Sequence, residues 1–111
     1  MTNLKTVISD VAIWTLQDIK SFYTPKLGAD RAADLTESLL RDTVSAIEED
    51  PERYRFSARL ADKGVRLRER ITPDGQFTAI YDFDGETIEV LLFMSTKQDI
   101  ESLLHRYIIV K

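Results

Sequence analysis

GVRLRERITPDGQFTAIYDFDGETIEVLLFM, residues 64–94, is the stretch whose reading decides the fold. Val65, Leu67 and Ile71 alternate with Arg66, Arg68 and Arg70, the period of a strand with one arginine-bearing face. Thr72-Pro73-Asp74-Gly75 reads as a turn, with proline and glycine supplying the dihedrals it needs. Phe77, Ala79, Tyr81 and Phe83 then alternate with Thr78, Ile80 and Asp82. Asp84-Gly85 predicts a two-residue hairpin of type I′, which requires positive φ at both positions. Residues 87–94 form a third run with apolar side chains on both faces, as expected of a central strand covered on both sides. Strands joined by turns this tight are antiparallel.

Working outward toward the N-terminus, residues 5–9 are short, β-branched and apolar, and predict a first strand. Ser9 or Asp10 can cap a helix carrying Ala12, Leu16, Ile19 and Tyr23 at helical spacing, with Trp14 and Phe22 widening the stripe. Pro25 predicts that this helix ends at about Thr24, and Gly28 marks the turn. A second helix is expected from Asp30. Its broad apolar face combines Ala32, Leu35, Leu39 and Ala46 with Ala33, Leu40, Val44 and Ile47. It closes on Glu48-Glu49-Asp50-Pro51, three acids that oppose the helix dipole. Residues 52–63 show no clean period and read as an ordered connection with room for one helical turn. Past the last strand, Ile100, Leu103 and Leu104 predict a short amphipathic helix over 99–106, and residues 107–110 a β-prone tail. The expectation is a single α+β domain, 1–111: N-terminal strand, α-helical hairpin, antiparallel three-stranded meander and short C-terminal helix.

Composition bounds the function. The chain has 111 residues, 43% hydrophobic and 31% charged, a globular balance. It has no cysteine, so disulfides and thiolate metal sites are excluded. No run approaches the roughly 20 apolar residues of a membrane helix, and residues 1–10 lack a signal-peptide core, which predicts a cytoplasmic protein. The net charge is −4, but residues 51–70 hold seven basic and three acidic residues. That window is +4 and the remainder −8, so the positive charge is local.

Several side chains invite a functional reading. Arg66, Arg68 and Arg70 are expected about 7 Å apart along one strand face. They are either a solvated face paired with Glu48, Glu49 and Asp50, or an anion-binding face. Tyr54 and Phe56 lie among Arg53, Arg55 and Arg59, where aromatics can stack on a ligand or anchor the loop. Trp14 is a core residue or an exposed anchor for a partner. His105 is the one histidine and has no assignable partner. No metal signature, phosphate loop or nucleophile triad is present, so neither metal nor cofactor is expected.

The chain resembles the RelE/ParE toxin superfamily of bacterial type II toxin–antitoxin systems, the plasmid-stabilisation proteins. The resemblance runs over about residues 7–99. It is carried by Ser9, Ala12, Leu16, Ile19 and Tyr23, then Gly28, Ala32, Ala33, Leu40, Ile47 and Pro51, and most clearly by Gly64-Val65-Arg66, Tyr81, Asp84-Gly85 and Ile88-Glu89-Val90. It implies an antitoxin partner and one of two activities: RelE-like cleavage of mRNA in the ribosome, or ParE-like inhibition of DNA gyrase. Arg66 matches the family's arginine after the glycine, and Lys97 a lysine of its C-terminal segment. Ile100 and Leu104 stand about where a nuclease member has an arginine and a tyrosine. The ParE-like histidine and basic residues after the last strand are also missing from Met94-Ser95-Thr96-Lys97-Gln98-Asp99. The resemblance therefore implies a ParE-like gyrase-binding toxin, in complex with its antitoxin or as a homodimer. Its partner-binding residues are Arg66, Arg68, Arg70, Arg59 and Trp14. The alternatives are a RelE-like endoribonuclease, with Arg66, Lys97 and His105 as the candidates for catalysis, and a non-toxic interaction domain on the same fold.

Overall fold

The computed structural model describes residues 4–96. The C-terminal helix and tail expected over 99–110, with Ile100, Leu104 and the candidates Lys97 and His105, lie outside the described residues. The elements in chain order are β1 (Lys5–Ile8), α1 (Asp10–Leu27), α2 (Ala29–Glu49), α3 (Ala58–Asp62), β2 (Arg68–Ile71), β3 (Phe77–Phe83) and β4 (Thr87–Ser95). The sheet order is β1-β4-β3-β2. β2, β3 and β4 form the expected antiparallel meander, and β1 joins the far side parallel to β4. A parallel neighbour needs a long crossover, and the helical hairpin followed by the meander supplies it. β4 is thus central, as its doubly apolar pattern requires.

The hairpin packs one sheet face. Ala12, Leu16 and Ile19 of α1 and Leu39 and Ile47 of α2 bury themselves against Phe77, Ala79, Tyr81, Ile88, Val90 and Phe93. A second buried cluster joins Ile80, Leu92 and Met94 to Leu60 of α3. The two clusters draw on alternate residues of β3, and a bulge in β4 shifts its phase so that Ile88, Val90 and Phe93 share the first cluster while Leu92 and Met94 enter the second. Ile80 pairs with Leu92 but Tyr81 with Val90, leaving Leu91 with no residue opposite.

Ser9 caps α1 by accepting the Ala12 N–H at 3.0 Å. Three details differ from expectation. First, α1 runs through Pro25 to Leu27. Proline removes one N–H, but this is the last turn. Gly28 N–H still reaches the Thr24 carbonyl at 2.8 Å, so the ladder resumes beyond the gap. Gly28, at φ +89°, alone separates the two helices. Second, residues 65–67 are not strand, and β2 starts only at Arg68. The connection before it lies alongside instead. Ser57 N–H donates to the Leu67 carbonyl at 2.8 Å and Glu69 N–H to Arg55 at 3.0 Å, with Phe56 bridged to Arg68. The helical turn expected in this connection is α3. Third, the β3–β4 turn is not type I′. Among the described residues only glycines have positive φ, so Asp84 does not. Gly85, at φ +102°, makes the reversal, and the Asp84 carboxylate accepts the Glu86 and Thr87 N–H groups at 2.9 and 2.7 Å.

Candidate partner-binding surface

The arginine-rich segment comes together around two aromatic rings of the connection. Arg68 is half-buried, and its Nη1 donates to the Tyr54 carbonyl at 2.6 Å and the Glu52 carbonyl at 3.2 Å. Its guanidinium also lies over Phe56, 4.2 Å from the ring centroid. Arg66 is exposed and stacks on the same ring at 4.4 Å. Attraction between a guanidinium and the electron-rich ring face holds both. Arg53 repeats the arrangement on Tyr54, at 4.8 Å from its centroid and 2.5 Å from its hydroxyl. Hydrogen bonding to that hydroxyl pushes the already high Arg53 pKa further up. Tyr54 in turn meets Tyr81 edge to face at 6.4 Å. The Tyr81 hydroxyl donates to the Pro51 carbonyl at 2.7 Å, and burial pushes its pKa up to about 12.

Arg70 does something else. It is only 7% exposed, and its Nη1 donates to the Thr43 hydroxyl at 3.0 Å. It ties β2 to α2 beneath the surface, so the three arginines do not share one open face. Arg59 is exposed on α3. Trp14 is 45% exposed on α1 and is not among the residues that stack in this cluster. Arg55 approaches Glu69 at 4.0 Å. Among the described residues, Arg53, Arg59, Arg66, Arg68 and Arg70 have no carboxylate within 4.0 Å, and Glu48, Glu49 and Asp50 pair with none of them. Glu48 instead accepts from the Thr6 hydroxyl, and Asp50 accepts the Glu52 N–H at 3.2 Å. The cluster is therefore a positively charged surface whose guanidinium groups are fixed by rings and carbonyls.

Sequence reading put Arg66, Arg68, Arg70, Arg59 and Trp14 on one partner-binding surface, and of these the stacking contacts join Arg66 and Arg68 through Phe56. It missed Thr43 as the partner of Arg70 and the Pro51, Glu52 and Tyr54 carbonyls as acceptors. Backbone acceptors leave no trace in residue type. The signal available for Thr43 was a hydroxyl on the apolar face of α2, between Leu39 and Ile47. Among the described residues no group of three His, Cys, Asp or Glu side chains could hold a metal ion. No helix among them is long and apolar enough to cross a membrane.

A strand, a helical hairpin and an antiparallel meander in the order β1-β4-β3-β2 define an α+β fold. No protein-family model matches the sequence, and no curated protein matches it. Among solved structures, the chain is similar to one from the "Chromosomal ParDE TA system from P. aeruginosa". The likeness has a TM-score of 0.69 at 15% identity and covers 85% of this chain and 97% of that one. At that identity the likeness establishes the fold.

Proposed function

We propose that this protein is the toxin of a type II toxin–antitoxin pair, held inactive by a cognate antitoxin and acting in the cytoplasm by binding DNA gyrase. The observation that carries the reading is the fold, shared over 97% of a chain from a ParDE system. Binding is favoured over RNA cleavage by what surrounds Arg66. Among the described residues Arg66 stacks on Phe56, whose ring also holds Arg68, groups that hold a charge in place but do not move a proton. The hydroxyl of Tyr81 is committed to the Pro51 carbonyl.

Induced expression without antitoxin tests the reading, together with a gyrase supercoiling assay on the purified protein. Growth arrest, with supercoiling inhibited, is expected. Cleavage of ribosome-bound mRNA that is lost in Arg66→Ala would transfer the protein to the endoribonuclease class. Normal growth would leave a non-toxic interaction domain on the same fold.

A further inference from the structure

Arg66 and Arg68 carry like charges, yet both guanidinium groups lie within 4.4 Å of the centroid of one ring, that of Phe56. Among the described residues no carboxylate lies within 4.0 Å of either. Arg68 spends one nitrogen on the Glu52 and Tyr54 carbonyls. Arg66 makes no hydrogen bond among the described residues, so all of its N–H groups are free to donate. A guanidinium that stacks through its face keeps its N–H fork in its own plane, open to whatever approaches from the side. Phe56 is itself 37% exposed, so the stack lies at the surface. Holding long side chains still in advance removes much of the entropy cost of binding.

Charge decides the kind of partner. A nucleic acid presents a dense, continuous row of phosphates. It would meet this patch and also the eight-charge acidic excess of the rest of the chain. A short acidic peptide can place a few carboxylates on the patch and leave the remainder untouched. A carboxylate also matches the arginine fork in a bidentate way.

We propose that the Arg66–Phe56–Arg68 stack is a preformed dock for the carboxylates of an acidic segment of a protein partner, with Phe56 as the residue that orients both forks. The identity of the partner as the antitoxin rests on the toxin reading above. The chemistry of the dock does not.

The test uses the full chain and a fluorescently labelled glutamate-rich peptide, followed by anisotropy at low salt, with labelled oligouridylate as the competing class. The wild type is expected to bind the peptide more tightly than the RNA. Arg66→Ala should weaken peptide binding at least about tenfold. Arg66→Lys should not restore it, because an ammonium group has no fork. Phe56→Leu should weaken it about fivefold, at an unchanged melting midpoint, by releasing both guanidinium groups. Arg41→Ala, an exposed change on α2, should bind as the wild type does. Equal peptide binding by Arg66→Ala and wild type overturns the proposal, and so does oligouridylate binding more tightly through the same residues. Arg66 is exposed, so its substitution tests the dock without endangering the fold. The two readings also fail separately. A protein that binds the peptide through Arg66 but does not arrest growth loses the toxin reading and keeps the dock. A growth-arresting protein whose antitoxin binds Arg66→Ala undiminished loses the dock and keeps the toxin reading.

Discussion

The hydroxyl of Thr15 accepts the backbone N–H of Phe93 at 3.0 Å, across the interface between α1 and β4. The contact has a structural cause. β1 ends at Ile8, opposite Val90, while β4 runs on to Ser95. Beyond the end of β1, the cap of α1 and one of its side chains stand in for the missing strand: Ser9 donates to the Leu91 carbonyl at 2.9 Å, and Thr15 takes Phe93. Thr15 in turn donates to the Ala12 carbonyl at 2.8 Å, so its hydroxyl is fully used in a buried place. Thr15→Val keeps the shape and leaves a buried N–H unpaired. Urea unfolding should show a loss of about 1–3 kcal/mol. Thr15→Ser, which keeps the hydroxyl, should recover most of it.

Tyr81 sets an alkaline limit on stability. It is fully buried, and burial raises its pKa from 10.0 to about 12. The folded state thus holds its proton where the unfolded state releases it. The contribution is complete below pH 10 and is lost as the pH rises toward 12. Unfolding midpoints measured across this range should fall for the wild type and fall less steeply for Tyr81→Phe. At neutral pH the same substitution removes the hydrogen bond to Pro51, at a cost of about 1 kcal/mol.

The β3–β4 turn responds at the other end of the pH scale. Hydrogen bonds from Thr87 and Glu86 N–H hold the Asp84 carboxyl below the ordinary carboxylate range. Its contribution is therefore present above the ordinary aspartate pKa and is lost as the pH falls through the depressed folded value. An NMR titration of the side chain should place the Asp84 pKa below that of an ordinary aspartate. Gly85→Ala puts a side chain at φ +102° and should destabilise the protein by about 1–2 kcal/mol at any pH, although nothing lies within 4 Å of the added carbon.

The meander was legible because its first two runs alternate, its third is apolar on both faces and its turns carry glycine. The parallel pairing of Lys5 with Thr87 was not, since partners 82 residues apart share no local signal. The bulge at Leu91 was hidden for a different reason. The run Leu91-Leu92-Phe93-Met94 is apolar throughout, so either register buries it and periodicity does not choose. Arg68 and Arg70 show where pattern stops. Period two correctly puts them on one face of β2, but it does not say which face the helices cover. Arginine is rarely buried, so solvent was the natural expectation for both. α2 overrules it by offering Thr43, and the connection by offering carbonyls. The candidate site was therefore legible as a place, and the division of labour among its arginines was not.

That division can be tested at Arg70. Its guanidinium is buried, and among the described residues its one side-chain acceptor is the Thr43 hydroxyl. Thr43→Val removes that acceptor and keeps the volume, leaving a buried cation with a donor unpaired. A hydrogen bond to a charged group contributes about 1.5–3 kcal/mol, and urea unfolding should show a loss of that order. Arg70→Met is a different experiment. It removes the charge and the donor together while keeping an unbranched apolar stem under α2, so no unpaired cation remains. It should cost less than Thr43→Val, because replacing a buried polar group by an apolar one of similar length is milder than stranding its partner. In Arg70→Met, Thr43 has little left to contribute, so adding Thr43→Val should cost clearly less than it does in the wild type. Additive losses would show that Arg70 is held by packing alone. Both variants should bind the glutamate-rich peptide as the wild type does, since neither touches Arg66, Phe56 or Arg68. A loss of peptide binding in Arg70→Met at unchanged melting would return Arg70 to the docking surface.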